Sequence, residues 1–228
     1  MRLGIVSDIH GNKIAFEAVL DDMPDVDSLI CAGDVVGYNP WPVECVELVR
    51  EECDVVVQGN HDRAVQNPIV YAGNTMAYKG LVLANNELSP THMNWLKNLP
   101  KTEEIIEGEY LLVHSHPSPD SRGEYVTPDK FSELRRTMEV EFDDAYSGVI
   151  LGHTHIQHAE QLDDVLIANP GSVGQPRDGD PRAAYGVLDL EKGKISLQRV
   201  EYDIDTVREE VSKLDLPPQT AERLYDGR

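Results

Sequence analysis

The stretch Leu3-Gly4-Ile5-Val6-Ser7-Asp8-Ile9-His10 decides how the chain is read. An apolar, β-favouring run passes directly into an aspartate and a histidine, so a buried strand ends in two side chains able to ligate a metal. The arrangement recurs along the chain. Ser28 to Ala32 runs into Gly33-Asp34, and Val55 to Val57 into Gly59-Asn60-His61-Asp62. Tyr110 to Val113 runs into His114, and Val149 to Leu151 into Gly152-His153-Thr154-His155. In open α/β sheets the ligand crevice lies beyond the carboxyl ends of the strands, so these ends are expected to converge on one place.

Between the first three strands, Phe16, Val19, Leu20 and Met23, then Val43, Val46, Val49 and Cys53, recur at helical spacing. The N-terminal third therefore reads as βαβαβ. Residues 74–99 read as two helices, the second opened by Ser89-Pro90. Beyond residue 155 the pattern changes to strands separated by turns: Gln157 to Leu162, Val165 to Ala168, Ala183 to Leu190 and Ile195 to Tyr202. Antiparallel pairing beside the parallel half is expected there. Ile204, Val207, Val211 and Leu214 share one face of a closing helix over 203–214. The chain reads as one domain, 1–228, with 203–228 as a C-terminal helical closure.

The 228 residues, 40% hydrophobic and 27% charged, have the balance of an ordinary soluble domain with a sizeable core. No run approaches the roughly 18 apolar residues of a membrane helix. The run from Leu3 meets Asp8 too early for a signal peptide, so a cytoplasmic protein is expected. With 20 basic against 41 acidic residues, the net charge of −21 disfavours stable binding to nucleic acid or an anionic membrane. The excess is dispersed in pairs such as Asp21-Asp22, Glu51-Glu52 and Asp163-Asp164, which suggests a halophilic protein whose self-repulsion is screened in a salty cytoplasm. Cys31, Cys45 and Cys53 lack C-x-x-C spacing and read as buried hydrophobes.

The donors at the strand ends are Asp8, His10, Asp34, Asn60, His114, His153 and His155, a mixed nitrogen and oxygen set without thiolate. Calcium is disfavoured; manganese, iron, zinc, cobalt or nickel suits such a set. The set is too large for one site that keeps a position open for water, and two ions sharing a carboxylate resolve the excess. Such a pair orients a phosphoryl oxygen and activates a bridging hydroxide for in-line attack. Two divalent ions outweigh the charge of Asp8, Asp34 and the hydroxide, so the site attracts an anion even in an acidic protein.

The series Asp8-Ile9-His10, Gly33-Asp34, Gly59-Asn60-His61-Asp62, His114 and Gly152-His153-Thr154-His155 resembles the calcineurin-like metallophosphoesterase superfamily. The run Asn169-Pro170-Gly171-Ser172-Val173-Gly174-Gln175-Pro176-Arg177 and the ending Ala221 to Arg228 resemble its small, single-domain bacterial and archaeal phosphodiesterase branch. The resemblance implies an α/β (α+β) fold, a four-layer αββα sandwich of two mixed β-sheets flanked by helices. It implies that Asp8, His10 and His155 hold a first ion, that Asn60, His114 and His153 hold a second, and that Asp34 bridges them. His61 then contacts the phosphate and helps protonate the leaving alkoxide, with Asp62 orienting His61. Two divalent ions per chain are expected, manganese favoured.

The expected substrate is a small phosphodiester or nucleotide-like molecule, and self-association of copies is consistent with the branch. A phosphomonoesterase, a protein phosphatase, a dinucleoside polyphosphate hydrolase and a non-catalytic metal-binding interaction scaffold are the alternatives. One departure is Ser115-His116-Pro117, where the branch commonly follows the histidine with glycine, serine and proline. Arg177 is a candidate phosphate contact because guanidinium matches phosphate oxygens bidentately, although a structural salt bridge accounts for it equally. Tyr38 and Trp41 read as packing of a loop onto the following helix, and His92, His116 and His158 as ordinary polar residues.

Overall fold

The computed structural model describes residues 1–143 and 145–228. One sheet has the strand order β10-β9-β1-β2-β3. Its members are β1 (Arg2–Val6), β2 (Ser28–Cys31), β3 (Val55–Val56), β9 (Ala183–Asp189) and β10 (Lys194–Val200). The other has the order β4-β5-β6-β8-β7. Its members are β4 (Thr102–Ile105), β5 (Tyr110–Val113), β6 (Gly148–Ile150), β7 (His158–Leu162) and β8 (Val165–Asn169). Both sheets are mixed: β1, β2 and β3 run parallel, as do β5, β6 and β8, while β9, β10, β4 and β7 join by antiparallel pairing.

The sheets pack face to face because successive residues of a strand point to opposite sides. Leu3, Ile5 and Ile30 meet Tyr110, Leu112, Ile150 and Ala168 between the sheets. From the same strands Val6 and Cys31 face outward, onto Phe16 and Val19 of α1 (Lys13–Asp22) and Cys45, Val46 and Val49 of α2 (Pro42–Glu52). On the far side Leu111, Val113 and Val149 pack against Phe131, Leu134 and Met138. The result is the expected αββα sandwich.

Asn12 caps α1 through Ala15 N, and Ser89 caps α5 (Pro90–Asn98), which follows α4 (Thr75–Glu87). A short helix, α3 (Asn60–Ala64), starts at the Asn60 ligand position. Two further elements fall outside the expectation from sequence: the edge strand β4 and the helix α6 (Phe131–Phe142). Asp203 caps α7 (Ile204–Lys213), whose Val207 and Val211 join Leu216, Ala221 and Leu224 in a cluster with Ile14, Trp41 and Leu83 against it. A short helix α8 (Gln219–Glu222) and a turn at Arg223–Asp226 follow. Among the described residues no helix is long and apolar enough to cross a membrane.

Candidate metal centre

Each strand end delivers its expected ligand to one region. Asp8 follows β1, Asp34 follows β2, Asn60 opens the helix after β3, His114 follows β5, and His153 and His155 follow β6. The potential ligand atoms fall into three groups within 4.8 Å of one another: Asp8 with His10 and His155, His10 with Asp34 and His61, and Asp34 with His114 and His153. Asn60 joins the last group, its Oδ1 2.9 Å from His114 Nε2. Asp34 Oδ2 lies 3.6 Å from His10 Nε2 and 3.4 Å from His114 Nε2, so one carboxylate oxygen serves both sides of the cluster.

The hydrogen bonds fix which ring nitrogen is free. His10 Nδ1 donates to the Val36 carbonyl (3.1 Å), His155 Nδ1 to that of Gln175 (2.6 Å) and His114 Nδ1 to that of Ala32 (2.7 Å). His153 instead donates Nε2 to the Gly123 carbonyl (3.1 Å), leaving Nδ1 free. A ring nitrogen anchored on a carbonyl is the usual second contact of a metal-ligating histidine. It leaves the Nε2 lone pairs of His10 and His155 facing each other at 3.1 Å.

Asp8 Oδ1 is buried beside them, 3.2 Å from His155 Nε2, with no hydrogen-bond partner. Its other oxygen accepts from Ser7 Oγ (2.7 Å) and the His153 amide (2.9 Å). Buried acceptors turned on one another without a donor are costly unless a cation lies among them. The residues therefore fit a divalent metal.

Burial opposes ionisation of Asp8 and Asp34, yet the nearby imidazoles, His155 for Asp8 and His114 for Asp34, hold both carboxylates well below their usual range. Burial pushes His10 and His155 down as well, and takes His153 and His61 to about 4. His114 is the exception: burial works against its charge, but Asp34 raises it to about 9.

The backbone is held unusually to aim these groups. Asp8 (φ 52°), His10 (50°), Asp34 (55°), His153 (70°) and His155 (59°) all adopt left-handed conformations. Each costs about 1–3 kcal/mol for a non-glycine residue and persists only where the surroundings enforce it. Glycine supplies the clearance around them. A Cβ at Gly59 would lie 2.0 Å from Asp34 Oδ1, and one at Gly152 2.1 Å from Ser7 Oγ.

His61 borders the cluster, and its backbone N–H donates to Asp34 Oδ1 (2.8 Å). Its ring lies between Tyr38 and Tyr71, with centroids at 4.8 and 4.7 Å. Nδ1 is buried without a partner against Gly37, which leaves Nε2 for the cleft. Asp62 differs from its expected partner. Its carboxylate does not reach the His61 ring but accepts the backbone amides of Asp34, Val35, Val36 and Gly59 at 2.9–3.2 Å. Burial and Asp34 push Asp62 up to about 7, while the amide donors favour its ionised form.

A cleft of about 400 Å³ opens over the cluster, with Asp34, Asn60, His61, His153 and His155 in its wall. Arg177 also lines it, and so does Tyr38, contrary to the loop-packing role expected of that tyrosine; Trp41 packs on the C-terminal helices instead. Arg177 has no ion pair among the described residues: it donates to Gln175 Oε1 (2.7 Å) and Tyr38 Oη (3.3 Å). His116 lines a different pocket with Glu124 and Glu133, and neither His92 nor His158 borders the cleft. Ser115 and His116 need no left-handed backbone, which explains why glycine is dispensable there. Tyr71, Tyr125, Arg63 and Arg223 complete the rim. Tyr71, Tyr125 and Arg223 adjoin no ligand block, and Arg63, directly after Asp62, lies outside the motif residues, so sequence reasoning missed all four.

Residues 1–193 match the calcineurin-like phosphoesterase superfamily domain. The chain belongs to this superfamily. A metallophosphoesterase from Sphaerobacter thermophilus is 33% identical and superposes with a TM-score of 0.83, covering 100% of this chain and 99% of that one. An uncharacterised protein of Methanocaldococcus jannaschii is 33% identical over 99% of this chain and 98% of its own length. The phosphodiesterase YfcE of Escherichia coli is 26% identical over 83% of this chain and 88% of its own. The superfamily's metal dependence agrees with the clustered aspartates and histidines.

Proposed function

We propose that the protein hydrolyses a small phosphodiester with two divalent ions, manganese favoured. Asp8, His10 and His155 would hold one ion, Asn60, His114 and His153 the other, and Asp34 both. The observation that carries this reading is the partnerless, buried Asp8 Oδ1 beside the Nε2 lone pairs of His10 and His155, which face each other at 3.1 Å. When bound, the ions supply a water of lowered pKa and positive charge against the phosphoryl oxygens.

The chain's own residues do the rest. Arg177 lines the cleft and offers its remaining guanidinium N–H groups to an anionic group of the substrate. His61 presents Nε2 to the cleft, where it would hydrogen-bond a phosphoryl oxygen and, as the imidazolium, give its Nε2 proton to the leaving alkoxide, returning to neutral imidazole. Tyr38 and Tyr71 keep its ring in place. Asp62 acts on His61 only through the backbone, by tying the Asp34–Val36 loop to Gly59. The chain is read as one catalytic domain, cytoplasmic, closed by 203–228, with self-association left to measurement of mass in solution.

Turnover of bis(p-nitrophenyl) phosphate with manganese tests the function. Activity lost in Asp34→Ala and His61→Ala supports it, and a wild-type protein inert with every divalent metal refutes it. The net charge of −21 further supports adaptation to high salt, for which the melting temperature should rise with added KCl.

A further inference from the structure

Arg177 and Arg223 reach the same cleft from separate parts of the chain, Arg223 from the C-terminal turn that lies beyond the matched stretch 1–193. Neither has an Asp or Glu side chain at ion-pair distance among the described residues, whereas Arg182, Arg199 and Arg208 each pair with an aspartate. Arg63 on the same rim also lacks an acidic partner among the described residues but is exposed, whereas Arg177 and Arg223 are half-buried, where an uncompensated charge is costlier. Burial and the neighbouring Arg177 both lower the pKa of Arg223, the signature of like charges held together.

Both guanidiniums are anchored at one end only. Arg177 spends Nε and Nη2 on Gln175 Oε1 and Tyr38 Oη, and its Cζ lies 5.7 Å from the centre of the Tyr38 ring. Arg223 donates Nε to the main-chain oxygen of Arg228. Arg177 Nη1 and both Nη groups of Arg223 make no protein hydrogen bond among the described residues. Tyr38 separates this pair from the ligand cluster, its ring 4.8 Å from those of both His10 and His61. A phosphoryl group held at the cluster therefore leaves the arginines to a second group of the same substrate.

We infer that Arg177 and Arg223 form a second anion site beside the metal centre, which selects phosphodiesters carrying an additional phosphate. The inference rests on the phosphodiesterase reading for its consequence in turnover, but not for binding. Two planar forks with free N–H groups suit a phosphate dianion. They also place positive charge in the cleft of an otherwise acidic protein, where an anionic substrate must bind.

The test uses full-length, manganese-loaded protein and two probe pairs. Calorimetry compares thymidine 3′,5′-bisphosphate with thymidine 5′-monophosphate. Kinetics compares thymidine 5′-(p-nitrophenyl phosphate) with its 3′-phosphorylated form. The wild type should prefer the member with the extra phosphate by at least about tenfold in Kd and in kcat/KM, and Arg223→Gln and Arg177→Gln should each reduce that ratio to below about threefold. Should Arg223→Gln fail to fold, Arg177→Gln decides alone. No preference in the wild type, or a preference kept in the folded variants, overturns the second site. A calorimetric preference without turnover of either ester leaves the site standing and refutes the phosphodiesterase reading instead.

Discussion

Asp62 Oδ2 accepts the backbone N–H of Asp34 at 2.9 Å, so one buried carboxylate holds the main chain of another that is aimed at the metal cluster. The same side chain also takes the amides of Val35, Val36 and Gly59. Asp62→Asn turns an NH2 group toward amide donors and removes the charge from these bonds. It should destabilise the metal-free protein by about 2–3 kcal/mol, read by urea unfolding. A change below about 0.5 kcal/mol would show that the clamp contributes nothing.

The facing nitrogens of His10 and His155, 3.1 Å apart, predict that metal stabilises the fold. At a hundredfold excess over Kd, a bound ion adds about 2.7 kcal/mol, or roughly 5–11 °C in melting temperature for a chain of this size. Chelator should reverse the shift, and Asp8→Ala should reduce it. Identical melting curves with manganese and with EDTA would contradict the assignment.

Gly37 offers a way to disturb His61 without touching a ligand. A Cβ there would lie 2.3 Å from His61 Nδ1, at a φ of +104°. Gly37→Ala should lower kcat while leaving the metal content intact, and His61→Ala should lower it by about 10²–10⁴-fold. Both are read from steady-state kinetics alongside elemental analysis. Full activity in His61→Ala removes that residue from the chemistry.

The thiols should be inert. Cys31 and Cys45 are buried, Cys53 is half-buried, and burial pushes all three upward in pKa. Ellman's reagent at pH 8 should label none of them within minutes in native protein and all three in guanidinium. Rapid native labelling would mean that the helix carrying Cys45 and the segment after it open readily.

The ligand set was legible because each donor directly follows a short apolar strand, and strand ends in this architecture meet at one place. The helix caps at Asn12, Ser89 and Asp203 were legible from local chemistry alone. By contrast, β4 is a half-exposed edge strand whose Thr102-Glu103-Glu104-Ile105 has little apolar character, so its pairing with β5 decides its conformation. The stripe Phe131, Leu134 and Met138 does carry helical spacing, but it lies between polar stretches without a side-chain cap to mark its start. The left-handed conformations at the ligands are enforced by packing between distant segments, as where the Asp8 amide donates to Gly33 and the Gly174 amide to Asp8. Tyr71 and Arg223 reach the cleft through tertiary packing, which no periodicity encodes.

Anomalous diffraction at the manganese edge, from crystals of manganese-loaded protein, tests the central claim most directly. Two peaks about 3.5–4 Å apart are predicted, one among Asp8, His10 and His155, the other among Asn60, His114 and His153, with Asp34 touching both. A single peak, or none within these residues, would contradict it.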